Sequence, residues 1–512
     1  MLRKIRISFS IVFFTLITLL FLDFSGTLHK WFGWLAKIQF LPAVLALNAG
    51  IIILLLLITL LLGRVYCSVF CPLGVFQDIV ARIGRRGKKL PYTFSPAKSW
   101  IRYGMLAVFV IAFVAGVNAI IALLDPYGMF GRMANNLLLP IWQWGNNLIA
   151  IVAERLNNYT FYTTEVWMKS LPTFIVAVVT LIVVVILAWR NGRTYCNTIC
   201  PVGTFLGLFS GFSLFQIRID DRKCNKCSIC ERHCKASCID SEAFKIDNSR
   251  CVACMNCIGK CNRDAINYRF DIPKIGKIEK NLTAFRPYDP TVSNQEEASE
   301  GRKAFLVTSA MLFSTSLKAQ IIPKATDIKT DGGLADIIAK KSPKRQTPLT
   351  PAGSLSNHNM MRKCTACQFC VSVCPNNVLR PSGSLNTFMQ PVMSFEKGYC
   401  RPECVKCTEV CPSGAIQTIT KEEKSSTQIG HAVWHRRRCI PIRDNQECDN
   451  CARHCPTKAI SMVSSVPGNS KAIKIPIVNE ELCIGCGACE YLCPSRPYSA
   501  ILVEGHQIHR LI

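Results

Sequence analysis

The sequence predicts a multidomain protein that combines an α-helical membrane bundle of four spans, with a fifth left open, and small α+β modules rich in cysteine. All the long apolar runs of the 512-residue chain lie within residues 1–212. The rest is polar and holds most of the 29 cysteines at short, repeated spacings. Such spacings indicate metal ligands rather than a secreted disulfide framework.

Four apolar stretches are long enough to cross a bilayer, which needs about 20 residues. They lie near residues 7–24, 42–63, 101–124 and 171–189. The first follows a short basic segment, but no small-residue cleavage site comes after it, so we interpret it as a retained anchor.

Basic residues predict the orientation of these spans. The segment 64–102 contains eight Lys and Arg, whereas only three occur between the third and fourth spans. The positive-inside rule therefore places the N-terminus, the 64–102 loop and the chain after span four in the cytoplasm. The loops at 25–41 and 125–170 then face outward.

A repeated motif follows the second and fourth spans. The segments RVYCSVFCPLGVFQD (64–78) and RTYCNTICPVGTFLG (193–207) match at seven of fifteen positions. In each, cysteines four apart share one helical face, and a proline then favours a new helix. We predict a redox or metal site, with buried packing residues or a disulfide pair as the alternatives left open; the cysteines are Cys67, Cys71, Cys196 and Cys200.

The next region, 213–270, contains two C-x2-C-x2-C-x3-C groups, which are typical of a two-cluster iron–sulfur domain. In such domains the fourth cysteine of each group binds the other cluster. The predicted sets are Cys224, Cys227, Cys230 with Cys261, and Cys251, Cys254, Cys257 with Cys234. Lys235 and Asn262 stand where a proline usually follows the fourth cysteine. Cys238 is interpreted as an incidental thiol.

Residues 361–512 contain four more groups and predict a four-cluster domain. Neighbouring groups suggest paired modules, with a nested pairing of first and fourth left open. The predicted ligands are Cys364, Cys367, Cys370, Cys374, Cys400, Cys404, Cys407, Cys411, Cys439, Cys448, Cys451, Cys455, Cys483, Cys486, Cys489 and Cys493. Six 4Fe–4S clusters are therefore expected, with a seventh left open at the repeated motif. Zinc is the alternative, but structural zinc sites usually show two separated C-x2-C pairs.

The formal charge of +27 does not predict nucleic-acid binding. Six clusters at about −2 each would reduce it to roughly +15, and much of the remainder flanks membrane spans, where it sets topology and meets anionic lipid.

The region between the two halves divides into a linker at 271–303, an apolar segment at 304–320 and a flexible tether at 321–360. The middle segment, behind Arg302 and Lys303, is similar to a twin-arginine export signal. We therefore predict that it directs export of the last domain. The alternatives are a peripheral helix and a fifth span.

Residues 1–270 resemble NapH-type membrane ferredoxin subunits of periplasmic nitrate reductase systems, which share four spans, two YC-x3-CP motifs and an Asp125-Pro126-Tyr127. Residues 301–512 resemble the NapG-type partner. The resemblance implies a multi-pass protein of the bacterial inner membrane. The positive-inside rule predicts a cytoplasmic two-cluster domain, and the export-like segment predicts a periplasmic four-cluster domain. The resemblance also implies a quinol dehydrogenase-like subunit, rather than a stand-alone enzyme, that passes electrons from menaquinol or another quinol to a separate terminal reductase.

Quinol oxidation releases protons, and we predict Asp125 near the outer face as the acidic group at the quinol site. A turn role before Pro126 is equally open for this residue. The competing functions are a redox sensor or assembly factor, which would need fewer clusters, and an enzyme that reduces a small substrate in its last domain. No Cys–His catalytic pair in the sequence supports the latter.

Overall fold

The computed structural model describes residues 2–87, 92–270, 330–331, 335–336, 338–469 and 472–512. The chain forms two units, one of residues 1–271 and 340–512, the other of residues 272–339. In the second unit a short pair of strands is described, Thr330–Asp331 with Ala335–Asp336. The predicted linker at 271–303 and the apolar segment at 304–320 lie outside the described residues, so export and a fifth span stay predictions.

The first part of the larger unit is helical. Its helices are α1 (Leu2–Leu22), α2 (Thr27–Phe32), α3 (Trp34–Lys37), α4 (Phe40–Leu45), α5 (Ala49–Leu62), α6 (Val65–Val69), α7 (Pro72–Gly87), α8 (Ser99–Ala115), α9 (Asn118–Leu124), α10 (Pro126–Met133), α11 (Leu139–Arg155), α12 (Leu171–Asn191) and α13 (Pro201–Ser210). Two π-helical segments, Ala134–Leu138 and Tyr195–Ile199, join α10 to α11 and precede α13.

Two helices in the described part of the chain, α1 and α12, are long and apolar enough to cross a membrane, each with 21 residues. The predicted spans at 42–63 and 101–124 are each broken. The first is interrupted at Leu47, which has φ 55°, before Asn48 caps α5. The second is interrupted at Gly116, which ends α8 in the left-handed region. Periodicity and hydropathy over a window do not register such breaks. The structure therefore contains two candidate spanning helices and does not support the predicted four.

The repeated motifs form two equivalent reversals of the chain. Gly63 (φ 74°) and Gly192 (φ 69°) end α5 and α12 in conformations that side chains with a Cβ rarely adopt. After each glycine the chain turns back into the bundle, so that Tyr66 donates to Gln39 (3.0 Å) and Tyr195 to the Leu124 carbonyl (3.4 Å). The cysteines of both motifs therefore lie inside the bundle rather than at its end.

The two-cluster domain comprises β1 (Phe215–Ile219), α14 (Ile229–Arg232), β2 (Ile239–Asp240), β3 (Lys245–Ile246), a 3₁₀ turn (Ile258–Lys260) and β4 (Ile266–Phe270). Strands β1 and β4 pair antiparallel, as do β2 and β3. The domain contacts the end of α5 through Tyr268, whose hydroxyl donates to the Leu62 carbonyl at 3.0 Å.

The four-cluster domain contains short elements between its cysteine loops. They are α15 (Asn357–Lys363), α16 (Phe369–Ser372), β5 (Leu379–Pro381), β6 (Pro391–Met393), α17 (Lys406–Glu409), α18 (Lys421–Ser426), β7 (Thr427–Trp434), α19 (Ile440–Arg443), α20 (Asn450–Arg453), β8 (Ile460–Ser464), β9 (Lys474–Val478), α21 (Ala488–Leu492) and β10 (Ile501–Leu511). Short 3₁₀ turns lie at Leu385–Thr387 and Arg436–Arg438. Strands β5 and β6, β8 and β9, and β7 and β10 pair antiparallel.

Part of the predicted tether is packed against this domain. From Lys340 onward the chain lies along it, because the Lys340 ammonium donates to three carbonyl groups of residues 490–493. Arg345 forms a 2.6 Å ion pair with Glu490, and both side chains are nearly buried. These contacts involve residues distant in sequence, which a composition-based reading cannot detect.

The two cysteine-rich domains contact opposite ends of both long helices. At the start of α12, Lys169 donates to the Val371 carbonyl (2.9 Å), and just after its end the Arg193 amide donates to the Lys235 carbonyl (2.9 Å). On α1, Arg3 lies against Gly259 of the two-cluster domain, whereas the Phe21 ring lies 4.0 Å from the Phe369 ring. A 21-residue helix is about 31 Å long, so the bundle separates the two domains.

Candidate iron–sulfur sites and the paired cysteine motifs

One predicted ligand set of the two-cluster domain lines a single cavity. Cys234, Cys251, Cys254 and Cys257 surround this cavity together with Cys238. The fourth cysteine of the first group thus joins the second group, as the exchange rule predicts. The Cys238 sulfur lies 3.5 Å from the Cys234 sulfur, so this thiol, interpreted from sequence as incidental, is an inner neighbour of the site.

The backbone of the cysteine loops is shaped for an anion. In the C-x2-C-x2-C loop, the residues two and four positions after the first cysteine have left-handed φ, which costs about 1–2 kcal/mol without glycine. In proteins generally, left-handed residues that alternate with right-handed ones turn successive N–H groups toward one point and form an anion-binding nest. The four loops with both left-handed residues are at Lys226 and Ser228, Ala253 and Met255, Ala366 and Gln368, and Gly485 and Gly487. A cubane held by thiolates is an anion, so these loops fit the expected cofactor.

The four-cluster domain also brings neighbouring groups together. Two further cavities are lined by cysteines that combine a group with the fourth cysteine of its neighbour; they are Cys374 with Cys400, Cys404 and Cys407, and Cys439, Cys448 and Cys451 with Cys493. Cys411 is close enough to interact electrostatically with Cys364, Cys367 and Cys370, and Cys455 with Cys483 and Cys486. This arrangement matches pairing of neighbouring groups and not the nested alternative.

Zinc and a 4Fe–4S cluster place different geometric demands on their thiolates. Within the ranges that the structure covers, no three His, Cys, Asp or Glu side chains are placed to hold a single metal ion. A zinc site would need four ligands within about 2.3 Å of one point, whereas a cubane separates its thiolates around a larger core.

The paired motifs bring their four thiols into one buried site. Each of the four cysteines is 4–5% exposed. The Cys71 thiol is close enough to Cys196 and Cys67 to interact electrostatically with both, and Cys200 interacts with the other three. The site draws one pair of cysteines from each motif, as a four-thiolate centre requires.

Two arginines cross between the motifs. Arg64 of the first donates to the Cys196 carbonyl (3.2 Å) and lies 3.8 Å from the Cys67 sulfur. Arg193 of the second donates to the Cys67 carbonyl (2.7 Å) and lies 3.9 Å from the Cys196 sulfur. Both guanidinium groups are fully buried. This exchange gives the site a pseudo-twofold arrangement and a positive environment suited to an anionic centre.

Asp78 anchors the second arginine. Its carboxylate pairs with Arg193 (2.8 Å), Arg6 (3.3 Å) and Lys235 (3.3 Å). Burial would raise the pKa of Asp78, but these cations hold it well below its usual range. The carboxylate therefore ties α1, α7, the second motif and the two-cluster domain together. Sequence reasoning gave no role to Arg64, Arg193 or Asp78, although both arginines are invariant between the two copies of the motif.

The opposite side of the paired-cysteine site leads to the four-cluster domain. Tyr195 reaches Met129 of α10 (2.8 Å), and α10 lies against the first loop of that domain. Arg132 donates to the Ala366 carbonyl (3.5 Å) and Asn135 to the Gln368 carbonyl (3.0 Å). The paired cysteines thus lie between the two cluster-binding domains.

Asp125 is the N-cap of α10. Its carboxylate is fully buried and accepts hydrogen bonds from the Tyr127 amide (3.2 Å) and the Gly128 amide (2.7 Å). Burial raises its pKa to about 6, against the opposing effect of these bonds and of Arg132. The structure thus shows the turn role that the sequence left open, and a role in quinol chemistry stays a prediction.

Two family models match parts of the chain. A 4Fe–4S binding domain matches residues 45–91 and 172–219, which contain the paired motifs, and a 4Fe–4S dicluster domain matches residues 363–443 and 446–496. No solved structure matches.

Three relatives in Escherichia coli each match part of the chain. YccM, named for electron transport, is 23% identical over 43% of this chain and 55% of its own length. The ferredoxin-type protein NapF is 27% identical over 35% of this chain and its full length. The ferredoxin-type protein NapG is 29% identical over 32% of this chain and 77% of its own length. The protein therefore carries ferredoxin-type 4Fe–4S domains and is a distant homologue of NapF, NapG and YccM.

Proposed function

We propose that the protein is a membrane-bound conduit that carries electrons from quinol, through 4Fe–4S clusters, to a separate terminal reductase. The observation that supports this most directly is the position of the paired cysteines between two cluster-binding domains at opposite ends of the same long helices. A redox sensor needs one or two clusters at one place, whereas a series of sites along one direction suits electron transfer.

The bundle in this proposal spans the bacterial inner membrane, with α1 and α12 as continuous spans and the broken pairs α4–α5 and α8–α9 packed beside them. The two-cluster domain lies at the basic end, which the positive-inside rule assigns to the cytoplasm. The four-cluster domain then lies on the periplasmic side, which agrees with the export signal expected at 304–320. A reporter fused after Gln320 tests this, because activity restricted to cytoplasmic reporters would contradict it.

We assign a seventh 4Fe–4S cluster to Cys67, Cys71, Cys196 and Cys200. Such a cluster supplies one-electron transfer at a potential set by hydrogen bonds and burial. The chain's own contribution is to hold four thiols in a closed site, exclude water, and balance the negative charge with Arg64 and Arg193.

Iron content tests this assignment. Replacing Cys67 and Cys196 by Ser should lower the bound iron by about four atoms per chain, the content of one cubane. Ser68→Ala is the matched control, because Ser68 is buried beside Cys67 in the same motif but has no thiol to offer a cluster. Equal iron in the double variant and the wild type would refute the seventh cluster.

Reduction by menaquinol tests the conduit. Menaquinol added anaerobically to the full-length, cluster-loaded protein should produce the EPR signals of reduced clusters, and the Cys67→Ser and Cys196→Ser double variant should lose reduction of the four-cluster domain. Clusters that stay oxidised in the wild type would contradict the proposal.

A further inference from the structure

A cleft of about 480 Å³ lies outside the sites described above, between α1, α7 and the two-cluster domain. Its volume is within the usual range of sites for small organic ligands, about 300–1,000 Å³. From Arg3 to Thr15 the cleft follows one face of α1 for about 18 Å, and Val75 and Ile79 of α7 form the facing wall.

The two ends of this cleft differ in polarity. Arg3, Arg6 and Lys260 lie at one end, whereas Ile11 and Phe14 lie toward the other. The Nε groups of Arg3 and Arg6 are buried and have no hydrogen-bond partner among the described residues. The cleft therefore suits an elongated molecule with hydrogen-bond acceptors at one end and an apolar tail.

The polar end borders one cluster site. His233 and Lys235 flank Cys234, and Asn256 precedes Cys257; all three flanking residues line the cleft. Cys234 and Cys257 line the same cavity. The lysine that replaces the usual proline after Cys234 is thus a wall residue of the cleft, where it pairs with Asp78 at 3.3 Å.

We propose that this cleft binds a quinone, with its carbonyl oxygens at the basic end and its isoprenoid tail along Ile11 and Phe14. The inference rests on the proposed function and gives it an entry site at the two-cluster domain. Oxidation of one quinol there yields quinone, two protons and two electrons. The electrons reduce two oxidised 4Fe–4S clusters by one each, and the protons leave through the open basic end to water. A phospholipid fits the apolar wall, but contact with the neighbours of two cluster ligands favours an electron donor.

Binding of a quinone-site probe tests the proposal without requiring turnover. The probe is 2-heptyl-4-hydroxyquinoline N-oxide, whose fluorescence is quenched on binding, added to full-length protein in nanodiscs of phosphatidylcholine. Ile79→Trp should fill the cleft and weaken probe binding about tenfold or more, equivalent to about 1.4 kcal/mol. Ile83→Trp is the matched control, because Ile83 lies one turn further along α7, is 54% exposed and does not line the cleft.

A second variant keeps the test informative if Ile79→Trp does not fold. Arg3→Met removes an unpartnered donor without adding bulk, and it should weaken probe binding severalfold. Equal affinity in the wild type, Ile79→Trp and Arg3→Met would overturn the proposal. So would a loss of affinity in Asp125→Asn with none in Ile79→Trp, because the headgroup would then bind at the other end of the bundle.

Phospholipid binding is distinguished in parallel. If Ile79→Trp loses co-purified phosphatidylglycerol but keeps its affinity for the probe, the cleft holds lipid and the proposal is wrong. Menaquinol reduction separates this inference from the proposed function. Equal cluster reduction in the wild type and Ile79→Trp would overturn the cleft and leave the conduit standing, whereas probe binding at the cleft without any reduction in the wild type would contradict the conduit alone.

Discussion

Asp78→Asn should destabilise the helical half of the protein, because one carboxylate holds three cations from separate parts of the chain. Asparagine keeps the volume of the side chain but removes the negative charge that forms ion pairs with Arg193, Arg6 and Lys235. The Arg193 side chain is fully buried, so it cannot regain solvent without moving away from the Cys67 carbonyl. The variant should therefore disturb the paired-cysteine site as well as the stability.

The magnitude follows from the burial of the ion pairs. Removing one partner of a buried pair typically costs about 3–5 kcal/mol. For a cooperative unit of roughly 150–250 residues, each kcal/mol lowers the melting temperature by about 2–4 °C, which gives a decrease of about 6–20 °C. The assay is thermal unfolding of the full-length protein in detergent, followed by tryptophan fluorescence, with labelling of the paired cysteines by a thiol reagent in the cluster-free protein.

The control is Asp221→Asn at an exposed aspartate near the start of the two-cluster domain. It should leave both readouts unchanged. The lowered pKa of Asp78 also predicts a pH dependence. The ionised carboxylate stabilises the fold above the unfolded pKa near 3.9, and this stabilisation is lost as the pH falls below that value. The melting temperature of the wild type should therefore approach that of Asp78→Asn in acid. A melting temperature within 2 °C of the wild type, together with unchanged thiol labelling, would refute the anchoring role.

Two further predictions concern the glycines and the cap residue. Gly203→Ala should lower the free energy of unfolding and reduce iron in the paired-cysteine site, because a Cβ there would meet the Cys196 carbonyl and lie 2.7 Å from Arg64 Nη2. The control is Gly104→Ala, whose Cβ would have no neighbour within 4 Å; it should be neutral or stabilise α8 by up to about 1 kcal/mol. Similar losses in both variants would contradict this reasoning. Because the pKa of Asp125 is raised to about 6, its contribution favours folding at low pH and is lost as the pH rises from about 4 to 6. Relative to Asp125→Asn, the wild type should lose about 1.4 kcal/mol between pH 5 and 8, and parallel pH profiles of thermal unfolding for the two proteins would show that the carboxyl is not perturbed.

Cysteine spacing predicted which cysteines lie together because the loops that carry them are local. The three cysteines of one C-x2-C-x2-C loop must lie near each other, and the exchange of the fourth cysteine follows from the two-group arrangement. The sequence therefore anticipated the cavity shared by Cys234 and Cys257. It could not choose between neighbouring and nested pairing in residues 361–512, because that depends on how separate loops pack.

The helical half was less predictable, because its features also depend on how separate segments pack. Hydropathy averaged over a window detects apolar segments but misses the interruptions at Leu47 and Gly116. Arg64 and Arg193 each bind the other motif only because two segments 129 residues apart pack against each other. The cleft beside α1 likewise forms only when three separate elements are packed together. The invariant arginine at the start of each motif was the available signal for the first of these features.

The contacts of α1 also bear on the order in which the protein assembles. This helix is synthesised before the four-cluster domain, yet its end is covered by Phe369, roughly 350 residues later. At typical rates of synthesis of about 5–20 residues per second, Phe369 is made about 20–70 s after Phe21. During that interval Tyr127 and Phe130 can contact the ring of Phe21, but the face that Phe369 covers stays exposed. A nascent or truncated chain that stops before residue 360 should therefore be the form most prone to aggregation and proteolysis.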